Sequence, residues 1–82
     1  DELLRAHPCV DGLDAVRQLV LIDMAFNMGV PRLCKFKKMW AAIHNEDFMV
    51  ASKEMLDSRW ANQVKSRSTK LAHAMYSGEM SG

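Results

Sequence analysis

The stretch DAVRQLVLIDMAFNMG, residues 14–29, decides the fold of this 82-residue chain. Asp14 is a residue type that begins helices and Gly29 one that ends them, and the apolar side chains between them point in nearly every direction around a helix. The pattern predicts a central helix over Ala15–Met28 that is buried on all sides. Its polar exceptions, Asp23 and Asn27, are four residues apart and share one face. We expect Asp23 to be a hydrogen-bonded acid at the edge of the core rather than a catalytic group.

The composition names the fold class. Ala, Leu and Met supply 24 residues, whereas the β-branched Val, Ile and Thr supply only nine. Because straight-chain helix formers dominate and there are only four Gly and two Pro, we predict an all-α chain. Its length allows one domain, residues 1–82, built as a compact orthogonal bundle of short helices around the central one.

The other helices are predicted from caps and from apolar spacing. Val30-Pro31-Arg32 is expected to be a connection or a single helical turn. A short helix is predicted over Asp1–Ala6, and a second helix runs through Phe36, Met39, Trp40 and Ile43. The next helix is expected to follow an Asn45 cap and to bury Phe48, Ala51, Met55 and Leu56. The last two are Arg59–Gln63, after a Ser58 cap, and Lys65–Ser77, which ends before Gly78 and turns Leu71, Ala74 and Met75 inward.

Several classes of function are disfavoured by simple features. A net charge of +1 argues against a nucleic-acid partner, and the apolar run Leu19–Ile22 is far too short for a membrane span. The chain opens on acidic residues, unlike a secretory leader, and lacks an initiator Met, which suggests a processed or excised chain. The two cysteines are expected to be reduced thiols. Neither they nor the three histidines have metal-ligand spacing, so we predict no metal and no cofactor.

Two local features leave alternatives open. The basic run Lys65–Lys70 is either a solvated helix face or a contact for an anionic partner, with Arg67 best suited to grip a carboxylate because its guanidinium is planar and forked. Trp60 lies on a short polar helix, where a tryptophan is often only half-buried. It therefore either packs or stacks on a sugar or a base.

Three matches in one register carry a family resemblance. They are LDAVR at residues 13–17, LIDMAFNMG at 21–29 and SRWANQ at 58–63, with Arg67 following Trp60 at the family spacing. Over roughly residues 7–80 the chain resembles the T-even bacteriophage lysozymes of glycoside hydrolase family 24. The resemblance implies the helical C-terminal lobe of a two-lobed muramidase that cleaves peptidoglycan. It also implies synthesis in the cytoplasm of a host bacterium and action on the periplasmic cell wall.

The same resemblance implies a role in binding rather than in catalysis. The family's catalytic Glu and Asp belong to an N-terminal lobe that no residue here matches, so that lobe is an expected partner in cis or in trans. This chain would supply one wall of the glycan cleft, to which the resemblance assigns Phe26, Asn27, Trp60, Gln63 and Arg67.

The resemblance also implies what individual residues of that cleft wall contact. Arg67 would be exposed and would reach across to the catalytic Glu. Asn27 stands where a longer Gln contacts the Trp60 position. Met39 and Glu54 replace a Ser and an Asn, which alters two further cleft positions.

No carboxylate pair in this chain looks catalytic from its surroundings. A glycosidase needs a protonated acid and a second carboxylate on opposite sides of the bond. The pairs Glu46/Asp47 and Glu54/Asp57 lie in a polar segment with no apolar pocket beside them. We therefore expect a lobe that is not catalytic by itself. A non-catalytic peptidoglycan-binding or protein-docking module is the alternative, and a nucleic-acid binder using the Lys65–Lys70 face is the weakest reading.

Overall fold

The helices follow the order that the sequence predicts. The computed structural model describes residues 2–79, without the side chains of Glu2 and Leu4, so Asp1 lies outside the described residues. Within this range there is no β-strand, and the all-α prediction is confirmed. The α-helices are α1 (Glu2–Ala6), α2 (Ala15–Met28), α3 (Val30–Leu33), α4 (Lys37–His44), α5 (Phe48–Leu56), α6 (Arg59–Gln63) and α7 (Lys65–Ser77), and a 3₁₀ helix occupies Pro8–Gly12.

Side-chain caps and a glycine fix several helix ends. The Asp14 carboxylate accepts a hydrogen bond from the backbone N–H of Arg17 at 3.2 Å, which begins α2. The Ser58 hydroxyl does the same for α6, accepting from Ala61 N–H at 3.2 Å. At the end of α7, Gly78 adopts the left-handed region with φ +75°, which glycine enters without steric cost. These three predicted ends are confirmed.

The predicted Asn45 cap is wrong. The N–H of Asn45 still bonds to the Ala41 carbonyl at 3.2 Å, so this residue closes α4 instead of opening α5. The chain then turns at Glu46, which has φ +57°. Asp47 caps α5, its carboxylate accepting from Val50 N–H at 3.4 Å. Asparagine and aspartate are both good caps, and the turn at Glu46 selects the second of them.

The core lies where α5 packs along α7 and against α4. Leu71, Ala74 and Met75 of α7 are buried, as predicted. Four of the methionines within residues 2–79 are fully enclosed, which suits a side chain flexible enough to fill irregular gaps. They are Met24, Met39, Met55 and Met75.

Helix α2 is buried on one face only, so the prediction of complete burial is wrong. Val20, Leu21 and Met24 are fully enclosed, and α2 packs against α3 and α7. Leu19 is 53% exposed and Phe26 is 87% exposed on the other side. An apolar pattern all round a helix says that both faces avoid water, but it does not say which element of the chain covers each face.

Two residues of the predicted α5 stripe also differ. Ala51 and Met55 are buried, whereas Leu56 is exposed because it is the last residue of the helix and lies past the core. Phe48 is half-buried at the first position, where its ring lies 3.6 Å from the guanidinium carbon of Arg17. That geometry is a cation–π contact, and it joins the start of α5 to α2.

His7 stacks flat on Trp40 of the core. The two ring centroids are 3.6 Å apart with 5° between the planes, and the Trp40 indole N–H donates to the Leu33 carbonyl at 2.9 Å. Burial, together with repulsion from His44, lowers the pKa of His7 from its ordinary value of 6.5. The protonated imidazole is therefore disfavoured in the folded state.

This shift predicts a loss of stability in mild acid. The unfolded chain binds a proton more readily at His7, so the free energy of unfolding is highest above pH 6.5 and falls as the pH drops below that value. Urea denaturation between pH 7.5 and 5 measures the slope. His7→Phe keeps a ring on Trp40 and should flatten that slope, whereas His73→Gln, at an exposed position, should leave it unchanged. An equal slope in the wild type and in His7→Phe would contradict the assignment.

Candidate functional site

The end of α2, the whole of α6 and the start of α7 meet on one side of the bundle. Helix α7 packs against both of the others. Val64 alone separates α6 from α7, and its carbonyl accepts the first α7 bond from Ser68 N–H at 2.8 Å. Because the linker is a single residue, the side chains at the end of α6 and at the start of α7 lie beside one another.

Two polar grooves adjoin at this junction. The first, which we call the Arg67 groove, has a volume of about 530 Å³ and is lined by Asn27, Asn62, Gln63, Val64, Lys65, Ser66 and Arg67. The second, the Trp60 groove, is also about 530 Å³ and runs from Asn27 and Gln63 past Trp60 to Lys35. Asn27 and Gln63 line both grooves. Four of the five residues assigned to the cleft wall therefore line these two grooves.

Arg67 is held by Asp23 from the same lobe. Arg67 Nη2 donates to Asp23 Oδ1 at 2.9 Å and to Oδ2 at 3.2 Å, and Arg67 Nε donates to Oδ2 at 3.3 Å. The Arg67 side chain is nevertheless 56% exposed, because only one edge of the guanidinium is used. Arg67 is exposed, as expected, but it also bonds to a carboxylate of its own lobe. Asp23 is a hydrogen-bonded acid at the edge of the core, as predicted.

The side-chain amide of Asn27 bonds to Asp23, one turn earlier in α2. Its amide nitrogen donates to the Asp23 carbonyl at 2.8 Å and to Asp23 Oδ1 at 3.2 Å. The Trp60 indole N–H is buried and has no hydrogen-bond partner among the described residues. A buried donor left without an acceptor costs free energy. The family resemblance implies a longer Gln at position 27 as the partner of this tryptophan.

The two aromatic residues of the predicted cleft wall differ sharply in exposure. Trp60 is only 7% exposed, so the half-buried tryptophan that could stack on a ligand is not found. Phe26 lies outside both polar grooves. It lines an apolar depression of about 270 Å³ together with Leu3, Ile22, Ala25 and Val30. Phe26 is thus available for apolar contact on a neighbouring part of the surface.

The two altered cleft positions line a third depression of about 410 Å³. Met39 is fully buried beneath it, and Glu54 is half-buried at its side. This depression shares Lys35, Phe36 and Ser58 with the Trp60 groove, so the two are continuous. Sequence reasoning missed the basic residues here, although four cations within residues 32–38 were a visible signal.

The described residues contain no group of three or more His, Cys, Asp or Glu side chains that could hold a metal ion. Cys9 and Cys34 are free, half-buried thiols, and burial raises the pKa of Cys9. Within residues 2–79 no helix is both long enough and apolar enough to cross a membrane.

The unmatched Trp60 N–H gives a direct prediction. Asn27→Gln lengthens the amide side chain by one methylene and restores the residue that the family resemblance pairs with the Trp60 position, so we expect its oxygen to accept from the indole N–H. We expect the free energy of unfolding to rise by about 1 kcal/mol, the usual net value of one hydrogen bond. Chemical denaturation of the purified variants measures it.

The control for Asn27→Gln removes the donor instead of supplying an acceptor. In a Trp60→Phe background no N–H remains to be paired, so the same asparagine replacement should add nothing to stability. The two single variants and the double variant form a double-mutant cycle. A gain of the same size in both backgrounds would show that the new amide bonds elsewhere.

The described residues thus form an all-α bundle with adjoining grooves at the junction of α2, α6 and α7. The chain is 32% identical over 68 residues to a probable T4-type lysozyme 1 of Dictyostelium discoideum and 30% identical over 70 residues to a probable T4-type lysozyme 2. These alignments cover 83% and 85% of this chain. The chain is thus related to the T4-type lysozymes, as the resemblance implied.

A phage protein shows the same similarity. The pre-baseplate central spike protein Gp5 of Enterobacteria phage T4 is 33% identical over 76 residues, which is 93% of this chain. The chain spans about two-fifths of the length of the two Dictyostelium lysozymes and 13% of the spike protein. No family model matches the chain.

Proposed function

We propose that residues 1–82 are the helical C-terminal lobe of a lysozyme-type glycosidase and form one wall of a cleft for peptidoglycan glycan strands. The observation that carries the proposal is the joint position of Asn27, Gln63 and Arg67 along adjoining grooves in a relative of the T4-type lysozymes. In this proposal an N-terminal lobe, in cis or in trans, supplies the catalytic acid and its partner carboxylate. The whole protein would act as an endolysin, made in the cytoplasm and acting on the bacterial wall.

The groove chemistry suits a glycan. Sugar hydroxyl and acetamido groups both donate and accept hydrogen bonds, and so do the amides of Asn27 and Gln63. The side-chain oxygen of Asn27, Oδ1, has no hydrogen-bond partner among the described residues, because only the side-chain nitrogen bonds to Asp23. The Nη1 group of Arg67 is likewise unused within residues 2–79 and can donate to a carboxylate across the cleft.

A second candidate is a non-catalytic binding or docking module. Two observations favour it. Arg67 already has a carboxylate partner in its own lobe, so its position does not require an acid from another lobe. The similarity also extends to a phage protein that is named as a central spike component.

Nuclear magnetic resonance tests whether the two grooves bind glycan, as the cleft-wall proposal requires. Titration of the ¹⁵N-labelled chain with soluble peptidoglycan glycan fragments should shift the resonances of Asn27, Gln63 and Arg67. Resonances of Arg5 and Lys53, which line none of the grooves, should stay in place. Shifts confined to residues outside the two grooves, or no shifts at all, would overturn the cleft-wall proposal.

Arg67 then separates the two functions. When an N-terminal lobe from a T4-type lysozyme is added, Arg67→Gln should weaken any wall lysis that the wild-type chain restores. Unchanged lysis with Arg67→Gln would favour the docking module.

A further inference from the structure

The Arg67 groove and the Trp60 groove are lined by cations and by no carboxylate of the described residues. Asp23 of α2 contacts this surface through its bonds to Arg67 and Asn27, which both line the Arg67 groove. Glu54 and Asp57 line only the depression beyond the Trp60 groove. Asp23 is therefore the acid of residues 2–79 that offsets positive charge at this site. Besides Arg67, the cations of the two grooves are Arg32, Lys35, Arg59 and Lys65.

The contacts of Asp23 fix its own side chain and orient Arg67. Both Asp23 oxygens accept from one edge of the guanidinium, at distances of 2.9, 3.2 and 3.3 Å. Oδ1 also accepts from the Asn27 amide at 3.2 Å, and the Asp23 side chain is only 29% exposed. Arg67 Nη1 keeps its donors free within residues 2–79. A long side chain that is gripped along one edge holds its other edge at a defined place, which is what a group acting across a cleft requires.

The charge of this ion pair matters for an acid on the opposite side of the cleft. The general acid of a glycosidase must keep its proton until the bond breaks. An unpaired guanidinium within about 4–6 Å stabilises the ionised carboxylate and lowers the pKa of such an acid. The Asp23 carboxylate, 2.9 Å from Arg67 Nη2, opposes that effect because its charge has the opposite sign. Arg67 can therefore donate a hydrogen bond while the acid retains its proton.

We propose that Asp23 is a positioning residue, which holds Arg67 toward the cleft and offsets its charge, so that the acid of the opposite lobe stays protonated near neutral pH. The inference rests on the proposed function, because it requires an N-terminal lobe whose acid faces Arg67. It adds that an ion pair, and not a lone cation, faces that acid. Asp23 acts on the reaction only through Arg67 and through its own charge.

The pH dependence of wall clearing tests the charge of Asp23. The chain is combined with an N-terminal lobe from a T4-type lysozyme, and initial rates of clearing are measured from acid to alkaline pH. Asp23→Asn keeps an oxygen that accepts from Arg67 but removes the negative charge. We expect the alkaline limb of the profile to move to lower pH by about one unit, because the acid then loses its proton more readily. Asp11→Asn removes the same charge from an exposed position outside the grooves and should leave the profile unchanged.

A second pair of variants tests whether the two charges oppose each other. Arg67→Gln leaves Asp23 unpaired, so the alkaline limb should move to higher pH while the rate falls. The double variant Asp23→Asn/Arg67→Gln removes both charges, and its limb should return close to that of the wild type, although its rate stays low. A merely structural role of Asp23 would lower the rate without moving the limb in these opposite directions.

Nuclear magnetic resonance of the chain alone tests the positioning of Arg67. In the wild type the Arg67 Nε–H group bonds to Asp23, so its signal should be sharp and exchange slowly with water. Asp23→Ala removes both acceptors and should broaden that signal, and it should slow clearing about tenfold because Arg67 is no longer held in place. Asp11→Asn should change neither measurement. Circular dichroism verifies that every variant is folded.

Each outcome decides for or against the inference. An alkaline limb at the same pH in the wild type and in Asp23→Asn overturns it while leaving the cleft wall intact, and so does an Arg67 Nε–H signal that Asp23→Ala leaves sharp. Faster clearing by Asp23→Asn at every pH overturns it too, because Asp23 would then withhold Arg67 from the acid. No clearing by the wild-type chain with the N-terminal lobe overturns both this inference and the proposed function.

Discussion

Replacing Arg17 with alanine is expected to lower the free energy of unfolding by about 3 kcal/mol, because this side chain ties three helices together. Arg17 Nε donates to the Met75 carbonyl at 2.7 Å, and Nη2 donates to the Tyr76 carbonyl at 2.9 Å. Both acceptors lie in the last turn of α7, where backbone carbonyls have no partners within the helix. Arg17 itself lies in α2, and its guanidinium covers Phe48 of α5.

The surroundings of Arg17 leave little room for a substitute. Its side chain is only 15% exposed, and Nη1 forms an ion pair with Asp14 at 2.9 Å. A Cβ atom placed on Gly78 would lie 3.1 Å from Nη1 and 3.3 Å from the guanidinium carbon. The glycine at the end of α7 is thus needed both for its positive φ and for the close approach of the arginine.

Urea denaturation checks this prediction against a matched control. Arg32→Ala removes an exposed arginine that makes no ion pair within residues 2–79, so it should change stability by less than about 0.5 kcal/mol. Arg17→Lys keeps the charge but not the forked geometry, and it should fall between the two. If Arg17→Ala and Arg32→Ala lose the same small amount, the contacts of Arg17 do not stabilise the fold.

The sequence was sufficient to predict helix ends and buried faces wherever these depend on neighbouring residues. The ends of α2, α6 and α7 follow from Asp14, Ser58 and Gly78, because a cap depends on the few residues around it. The inward face of α7 follows from its apolar spacing for the same reason. Even here, Asn45 and Asp47 were equally good caps, and only the turn between them decides which one is used.

The sequence was insufficient to predict side-chain contacts between residues that are distant in the chain. Arg17 meets Met75 across 58 positions, and Arg67 meets Asp23 across 44. Neither pair has a periodic signature, so the bidentate contact of Arg67 was not foreseen. The sequence left open whether Trp60 packs or stacks on a ligand, because most of its neighbours on the short helix are polar. Those polar neighbours are exposed, while the indole itself packs inward.

The residues of the candidate site were also predicted only in part. The family resemblance named Asn27, Gln63 and Arg67, which do line adjoining grooves. The cations along the Trp60 groove and the depression beside it were missed, although four of them lie within residues 32–38, because only the fold shows that these residues and Arg59 line one concave surface. The run at Lys65–Lys70 stood out in the sequence, yet exposed charges matter for binding where they converge around a concave surface.

The chain by itself is expected to release no soluble material from peptidoglycan. The family resemblance matches no residue here to the catalytic acid, and the general acid of such an enzyme accounts for about 10²–10⁴-fold in rate. Glu46 and Asp47 are exposed in the turn between α4 and α5. Glu54 lines an open depression among lysines. Neither place encloses a glycosidic bond between two carboxylates, as this chemistry requires.

A turbidity assay on purified cell walls measures this directly. The chain should leave turbidity unchanged, and addition of an N-terminal lobe from a T4-type lysozyme should produce clearing that neither part gives alone. Arg67→Gln should weaken that clearing, since Arg67 Nη1 is the donor left for an acid across the cleft. Glu46→Gln, in the exposed turn before α5, serves as the control and should have no effect on clearing. Lysis by the chain alone that Glu46→Gln or Glu54→Gln abolishes would place a catalytic site within this lobe.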